Sequence, residues 1–271
     1  MDQIPIKLEL PDVINKALTP LAQSIGTTLS SIWDITFGWI NNIQQKVQAK
    51  RLKALNEFKE SLEKNISDIP TDNLCEPDIS VVGPAMEASK YYFEQPEIRE
   101  MFASLIAKSM DSEYSSSIHP AFVEIIKQLS PIDAVVFRAI SKVQSIPLCK
   151  VRIQEINNLE QLLGDCPSSE YIHFSDILLS GKDCTSHIAN ISDLSYSQAE
   201  IACSIENLER LALVSTTYPH WTFEASLEAF KEHPYVQSVI STPPAEGDEY
   251  ILVPGDCDIT NLGQIFAKIC L

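Results

Sequence analysis

Five histidines (His119, His173, His187, His220 and His233) and seven cysteines (Cys75, Cys149, Cys166, Cys184, Cys203, Cys257 and Cys270) are the side chains of this 271-residue chain best suited to metal or nucleophilic chemistry. Metal sites and catalytic helices bring such ligands together at short spacings such as HxxxH or HExxH, and redox or zinc thiols commonly use CxxC. None of the histidines stands in such a spacing and no two cysteines form CxxC. His119 precedes Pro120, with Asp111 and Glu113 upstream, and could form a small polar site; a histidine at a helix start reads better as a cap. Cys203 and Cys270 fall on apolar helix faces and read as structural. The paired carboxylates Glu97 and Glu100 lie at a helix start, where the positive helix end explains them. With eight glycines and neither GxSxG, a Walker-type loop nor GxGxxG, the sequence offers no catalytic residues, no metal ligands and no cofactor site, so no enzyme and no cofactor are expected.

Bulk composition narrows the partners. A hydrophobic fraction of 45% with 21% charged residues is that of a folded globular protein long enough for a sizeable core. The formal charge is −17 and unevenly spread. Residues 1–70 carry 8 basic and 8 acidic side chains, residues 71–130 carry 4 and 10, and residues 131–271 carry 8 and 19. Such a chain is electrostatically unsuited to neutralising phosphates, so nucleic acid is not an expected partner. Single thiols scattered through apolar segments fit a reducing compartment. The start, MDQIPIKLELPD, lacks the pattern of a secretory signal, which places the expectation in the cytoplasm.

The densest helical pattern runs from Glu76 to Pro131. Three helices are predicted there: about Val82 to Phe93 with Pro84 near its start, a second opening at Gln95-Pro96-Glu97, and a third started by Pro120. Ile98, Met101, Phe102, Leu105, Ile106 and Met110 form one core face, and Phe122, Val123, Ile125, Ile126 and Leu129 another. The residues read EP…GPA-MEA-S-KY…E-I-REMFA-S-L-I-A-K-SMD…HPAFVEI-I-KQLSP. This stretch resembles the abortive-infection alpha family of bacterial phage-defence proteins. The resemblance implies a setting in phage defence and supplies no chemistry; it also implies a weakly hydrophobic N-terminal region, which members often carry.

Such a region is present. Between Ala17 and Gln45 the only charge is Asp34, and Lys46, Lys50, Arg51 and Lys53 follow with no acid before Glu57. A spanning helix needs about 20 mostly apolar residues, and Gln23, Ser24, Thr27, Thr28, Ser30 and Ser31 dilute this one. It fits a helix that exchanges a packed state for a membrane or partner contact made by Ile32, Trp33, Phe37, Trp39 and Ile40, with the basic cluster toward anionic headgroups. The plainer reading is a core helix, or one packed against a second subunit, with a solvated basic face. From Lys46 to Ile66 the pattern becomes amphipathic, with Val47, Leu52, Leu55, Phe58, Leu62 and Ile66 on one face.

The last third reads differently. Ser130 to Asp133 caps a helix through Val143, and Ile146 to Ile153 is a strand. Ser195 with Gln198 predicts a capping box for a helix bearing Ile201, Ile205, Leu208 and Leu211. Strands follow at Leu213–Thr217 and Glu249–Val253, and Asp258 is predicted to cap a last helix with the stripe Leu262, Ile265, Phe266 and Ile269. This is the order of a winged helix with an insertion between its wing strands. The candidate recognition helix carries Glu200, Glu206 and Glu209 against Arg210, a poor charge balance for the major groove. The expected architecture is mainly α with a small β component: weakly hydrophobic and amphipathic helices over 1–70, a helical core over 71–130, and a winged-helix-like domain over 131–271. The expected function is a non-enzymatic phage-defence effector or sensor, cytoplasmic or peripheral to the inner membrane. It would act through a protein partner, a homo-oligomer or the membrane surface; the alternatives are a nucleic-acid-binding regulator and an oligomeric scaffold.

Overall fold

The computed structural model describes residues 8, 20–43, 49–155, 182–185, 187–189, 191, 195–218 and 224–271. Two compact units emerge: one of residues 1–135 with 264–271, the other of residues 136–263. The chain is mainly helical with a small antiparallel sheet.

The first unit contains α1 (Pro20–Ile43), α2 (Ala49–Ser67), α3 (Ile79–Ser89), α4 (Pro96–Lys108) and α5 (Ala121–Lys127). Helix α3 begins at Ile79 rather than Val82, because the Asp78 carboxylate accepts the Ser80 N–H at 2.8 Å and supplies a cap that the proline-based reading overlooked. Pro84 therefore lies inside the helix, where it removes one backbone donor, and the helix stops at Ser89 ahead of a series of turns. Helix α4 starts as predicted, with Pro96 in its first turn, and Ile98, Met101, Phe102, Leu105, Ile106 and Met110 are all buried. Helix α2 lies along α4, and α3 packs against α1, α4 and α5. Cys75 N–H donates to the Met110 carbonyl and Ser112 N–H to the Asn73 carbonyl, both at 2.8 Å, which ties the linker after α2 to the turn after α4.

Helix α6 (Pro131–Val143) and α10 (Asn261–Cys270) each run from one unit into the other. Ser130 and Asp133 cap α6 reciprocally, with N–H to side-chain distances of 2.7 and 3.2 Å. In the second unit, β1 (Ser145–Glu155) pairs antiparallel with β5 (Asp248–Ile259) from Ser145↔Asp258 to Glu155↔Asp248. The other side of β5 takes β4 (Val214–Thr217), while β2 (Lys182–Asp183) and β3 (Ile188–Ala189) add short pairings to β1. Helices α8 (Glu224–Lys231) and α9 (Pro234–Ile240) fill the connection from β4 to β5, the site of the expected insertion. Phe230 and Val236 from these helices bury against Cys149 and Val151 of β1 and Ile188 of β3.

Helix α7 (Gln198–Arg210) has a capping box, but at Ser197 and Glu200, two residues beyond the predicted pair. Glutamate outcompetes glutamine for the role here because its carboxylate takes both the N–H and the hydroxyl of Ser197, at 2.9 and 2.8 Å. Helix α10 is capped by Thr260, whose Oγ1 accepts the Gly263 N–H at 2.9 Å, not by Asp258, which still belongs to β5. Phe266 and Ile269 are buried as expected, whereas Leu262 and Ile265 stand in solvent at 37% and 42% exposure. The helix turns its stripe only partly inward.

Backbone geometry gives a direct test of this frame. Ala212 closes α7 with φ 57°, a left-handed conformation that costs a residue with a Cβ about 1–2 kcal/mol. A Cβ on Gly263 would collide with the Leu213 carbonyl. Thermal unfolding should therefore show Ala212→Gly raising stability by about 1 kcal/mol. Gly263→Ala should lower it by about 1–3 kcal/mol.

Candidate functional site

The sequence-predicted contact residues divide sharply in the structure. Trp33 and Phe37 are 1% and 2% exposed, buried within the first unit. Their ring centroids are 4.6 Å apart, and both meet Phe58 of α2, at 5.9 and 6.0 Å. Phe93 in the turn after α3 closes the cluster, 6.3 Å from Phe37. Ile25 and Leu29 continue this buried face at helical spacing. Ile32 is half-buried and Lys50 and Lys53 are exposed. The side chains of Trp39 and Ile40, and Lys46 as a whole, lie outside the described residues.

Beside the cluster the basic residues are largely engaged. Arg51 Nε meets the Glu94 carboxylate at 2.7 Å, and its guanidinium lies 5.6 Å from the Phe93 centroid. Lys53 pairs with Glu57 at 3.6 Å. Arg99, buried on α4, donates from Nη1 to Glu57 at 2.7 Å and to the Phe93 carbonyl at 3.4 Å. Its hydrogen bond holds the Glu57 carboxyl below its usual pKa. Sequence reasoning named Arg51 and Lys53 as headgroup contacts and missed Arg99; the carboxylates at positions 57 and 94 were the available signal. Among the described residues no helix is long and apolar enough to cross a membrane.

The second unit holds a cleft of about 190 Å³ lined by His187, Gln198, Ala199, Ala202, Cys203, Glu206 and Tyr235. His187 Nδ1 lies 3.1 Å from the Tyr218 hydroxyl and their rings stack at 5.8 Å. The Tyr218 ring packs against Gly255, where a Cβ would collide with it, and Lys150 Nζ sits 4.3 Å from its centroid. Gln198 forms a strand-like pair with Ala189, donating to its carbonyl at 3.0 Å and accepting its N–H at 3.3 Å. Burial raises the Tyr218 hydroxyl pKa well above its ordinary value and pushes the Cys149 and Cys257 thiols up to about 12, so these groups stay protonated and poorly nucleophilic at neutral pH. Cys203 is exposed, contrary to the structural reading of it, while Cys270 is buried. His119 does cap: its Nδ1 accepts the Ala121 N–H at 3.1 Å. Among the described residues no group of three His, Cys, Asp or Glu side chains could hold a metal ion.

The environment of His187 predicts a pH-dependent stability for the second unit. Burial, and then Lys150, lower its pKa, while Glu206 and Glu209 partly oppose them. Between the depressed folded value and the unfolded value of 6.5, the unfolded chain binds the extra proton, so stability falls as pH drops through that window. Thermal unfolding between pH 7.5 and pH 5 should show this loss, and His187→Gln should reduce it. An unchanged slope in that variant would assign the effect to other groups, His233 first among them.

Comparison with known proteins adds one match. No curated protein and no solved structure matches the chain. The family model described as abortive infection alpha matches residues 50–270, which include the aromatic and arginine contacts of α2 and α4 and the whole second unit. The match covers most of the sequence and agrees with the resemblance carried by residues 76–131: the chain belongs to the abortive infection alpha family.

Proposed function

We propose that this protein is a phage-defence effector or sensor without catalytic chemistry of its own, acting through association of its N-terminal helices. Family membership suggests the phage-defence role. The observation that carries the mechanism is the character of α1: 24 residues with Asp34 as the sole charge, docked through Ile25, Leu29, Trp33 and Phe37. Full burial of each such side chain is worth about 1.5–3 kcal/mol. The docked helix is therefore a stable resting state, and an activating signal must supply several kcal/mol to release it. Once free, α1 presents an apolar aromatic face that must find a protein partner, a second copy or the surface of the inner membrane. An interfacial or protein contact suits it better than a span, since its mean apolarity is too low for crossing.

The second unit is read as a winged-helix-like module used for protein contacts. Its order of α6, β1, α7, β4, β5 and α10, with β5 pairing both β1 and β4, supports that reading. DNA is the weaker partner. Glu200 is occupied in the α7 cap, and Glu209 accepts from the Thr216 N–H and hydroxyl, both at 2.8 Å. The helix that would enter a groove is thus acidic by construction, and Arg210 is turned to its own Asn207 at 2.8 Å.

Ile32, half-buried on α1, offers the test. Ile32→Asp should keep the wild-type fold by circular dichroism yet lose most protection in a plaque assay. A folded Ile32→Asp variant that protects fully would contradict the association mechanism. Flotation with anionic liposomes, alongside light scattering, separates the membrane from a second copy as the contact.

A further inference from the structure

A second cleft, of about 320 Å³, lies wholly within the first unit and is lined by Asn65, Asp68, Ser104, Lys108, Asp111 and Lys268 among others. Lys108 ends α4 and Lys268 stands in the last turn of α10. Both ammonium groups converge on one ring: Nζ of Lys108 is 3.7 Å, and that of Lys268 4.8 Å, from the Tyr114 centroid. That places two positive charges within about one Debye length of each other at 0.1 M salt, where they repel. Elsewhere Lys53, Lys59, Lys90, Lys127 and Lys231 each meet a carboxylate. Neither Lys108 nor Lys268 has an acid within ion-pair distance among the described residues. The helix C-termini and the Tyr114 face each attract these lysines, but neither supplies the carboxylate partner that the other lysines have.

The walls are firmly built. The Ser104 hydroxyl donates to the Ile269 carbonyl at 2.7 Å, pinning α10 to α4, and Phe122 and Phe266 pack edge-on at 5.3 Å. Asp111 is 4% exposed, with Oδ1 accepting the Glu113 N–H at 3.0 Å. Its second carboxylate oxygen and the exposed Asp68 supply acceptors on the same cleft. An inorganic anion would satisfy the lysines and leave these acceptors unused.

We propose that this cleft binds a phosphate ester with neighbouring hydroxyl groups, the phosphate held by Lys108 and Lys268 and the hydroxyls by Asp68 and Asp111. Both free metabolites and lipid headgroups carry this chemistry. The site stands apart from α1 and does not depend on the association mechanism.

Glycerol 3-phosphate and phosphatidylglycerol vesicles present the same group in soluble and lipid form. Calorimetry of the full chain with the first, and flotation with the second against phosphatidylcholine vesicles, should detect binding in at least one arm. Lys108→Gln and Lys268→Gln should each weaken it about ten-fold, the loss expected for a charge-assisted contact. Lys127→Gln, at a surface ion pair, should not. Binding in the soluble arm alone identifies a free phosphate ester as the ligand, and lysine-dependent flotation alone identifies a headgroup. Binding in neither arm, or binding that both cleft variants retain while still folded, overturns the proposal. Flotation lost in Ile32→Asp but kept in both lysine variants would belong to α1 and likewise overturn the cleft as its site.

Discussion

The packing of two aromatic residues from a nearly uncharged helix against Phe58 and Phe93 is the constraint on which the first unit depends. It fixes α1 on a surface assembled from α2 and the turn after α3, and that surface is in turn set by Arg99. Arg99 is 7% exposed, and its buried charge is met there by Glu57 and the Phe93 carbonyl. One guanidinium therefore ties α2 to α4 and to the Phe93 turn, whose ring meets Phe37. The apolar and polar parts of the unit are two sides of one arrangement.

The second unit rests on a different device. The long β1–β5 ladder provides a rigid spine, and short elements attach to either edge. The Gln198 side chain pairs with Ala189 as a strand would, so an amide helps to fix the start of α7 to the sheet. Tyr218 lies across Gly255 because glycine leaves room for the ring, and this brings the phenol to His187. Burial lowers the pKa of His187 and raises that of Tyr218, so it favours the neutral form of both members of this contact.

Much of this was legible in the sequence where the pattern was strong and local. The Pro96 start of α4, the Ser130–Asp133 cap and the core faces of α4 and α5 follow from spacing and capping rules. The misses have local causes too. Asp78 and Thr260 cap their helices through single short side chains, and proline at position 84 and aspartate at 258 offered plausible rivals. Ser195 and Ser197 both precede α7, and only the geometry of Glu200 separates them. The burial of Trp33 fits the core-helix reading of α1, but its partners and the pairing of Arg51 lay beyond local reasoning. An amphipathic aromatic helix followed by lysines reads alike whether its partner is a bilayer or the protein's own α2 and α4; the sequence separation between Arg51 and Glu94, or Glu57 and Arg99, hides the distinction. The convergence of Lys108 and Lys268 on Tyr114 was hidden for the same reason.

The account turns on docked α1 being the restrained form of the effector. The most direct measurement is growth of bacteria carrying Phe58→Ala without phage, with protein level and circular dichroism compared with the wild type at the growth temperature. Removing that ring loosens the dock while leaving α1 itself intact, at a cost of about 3–5 kcal/mol. The account predicts that the folded variant slows or arrests growth without infection. A variant that folds, accumulates to the wild-type level and leaves growth unaffected would contradict it.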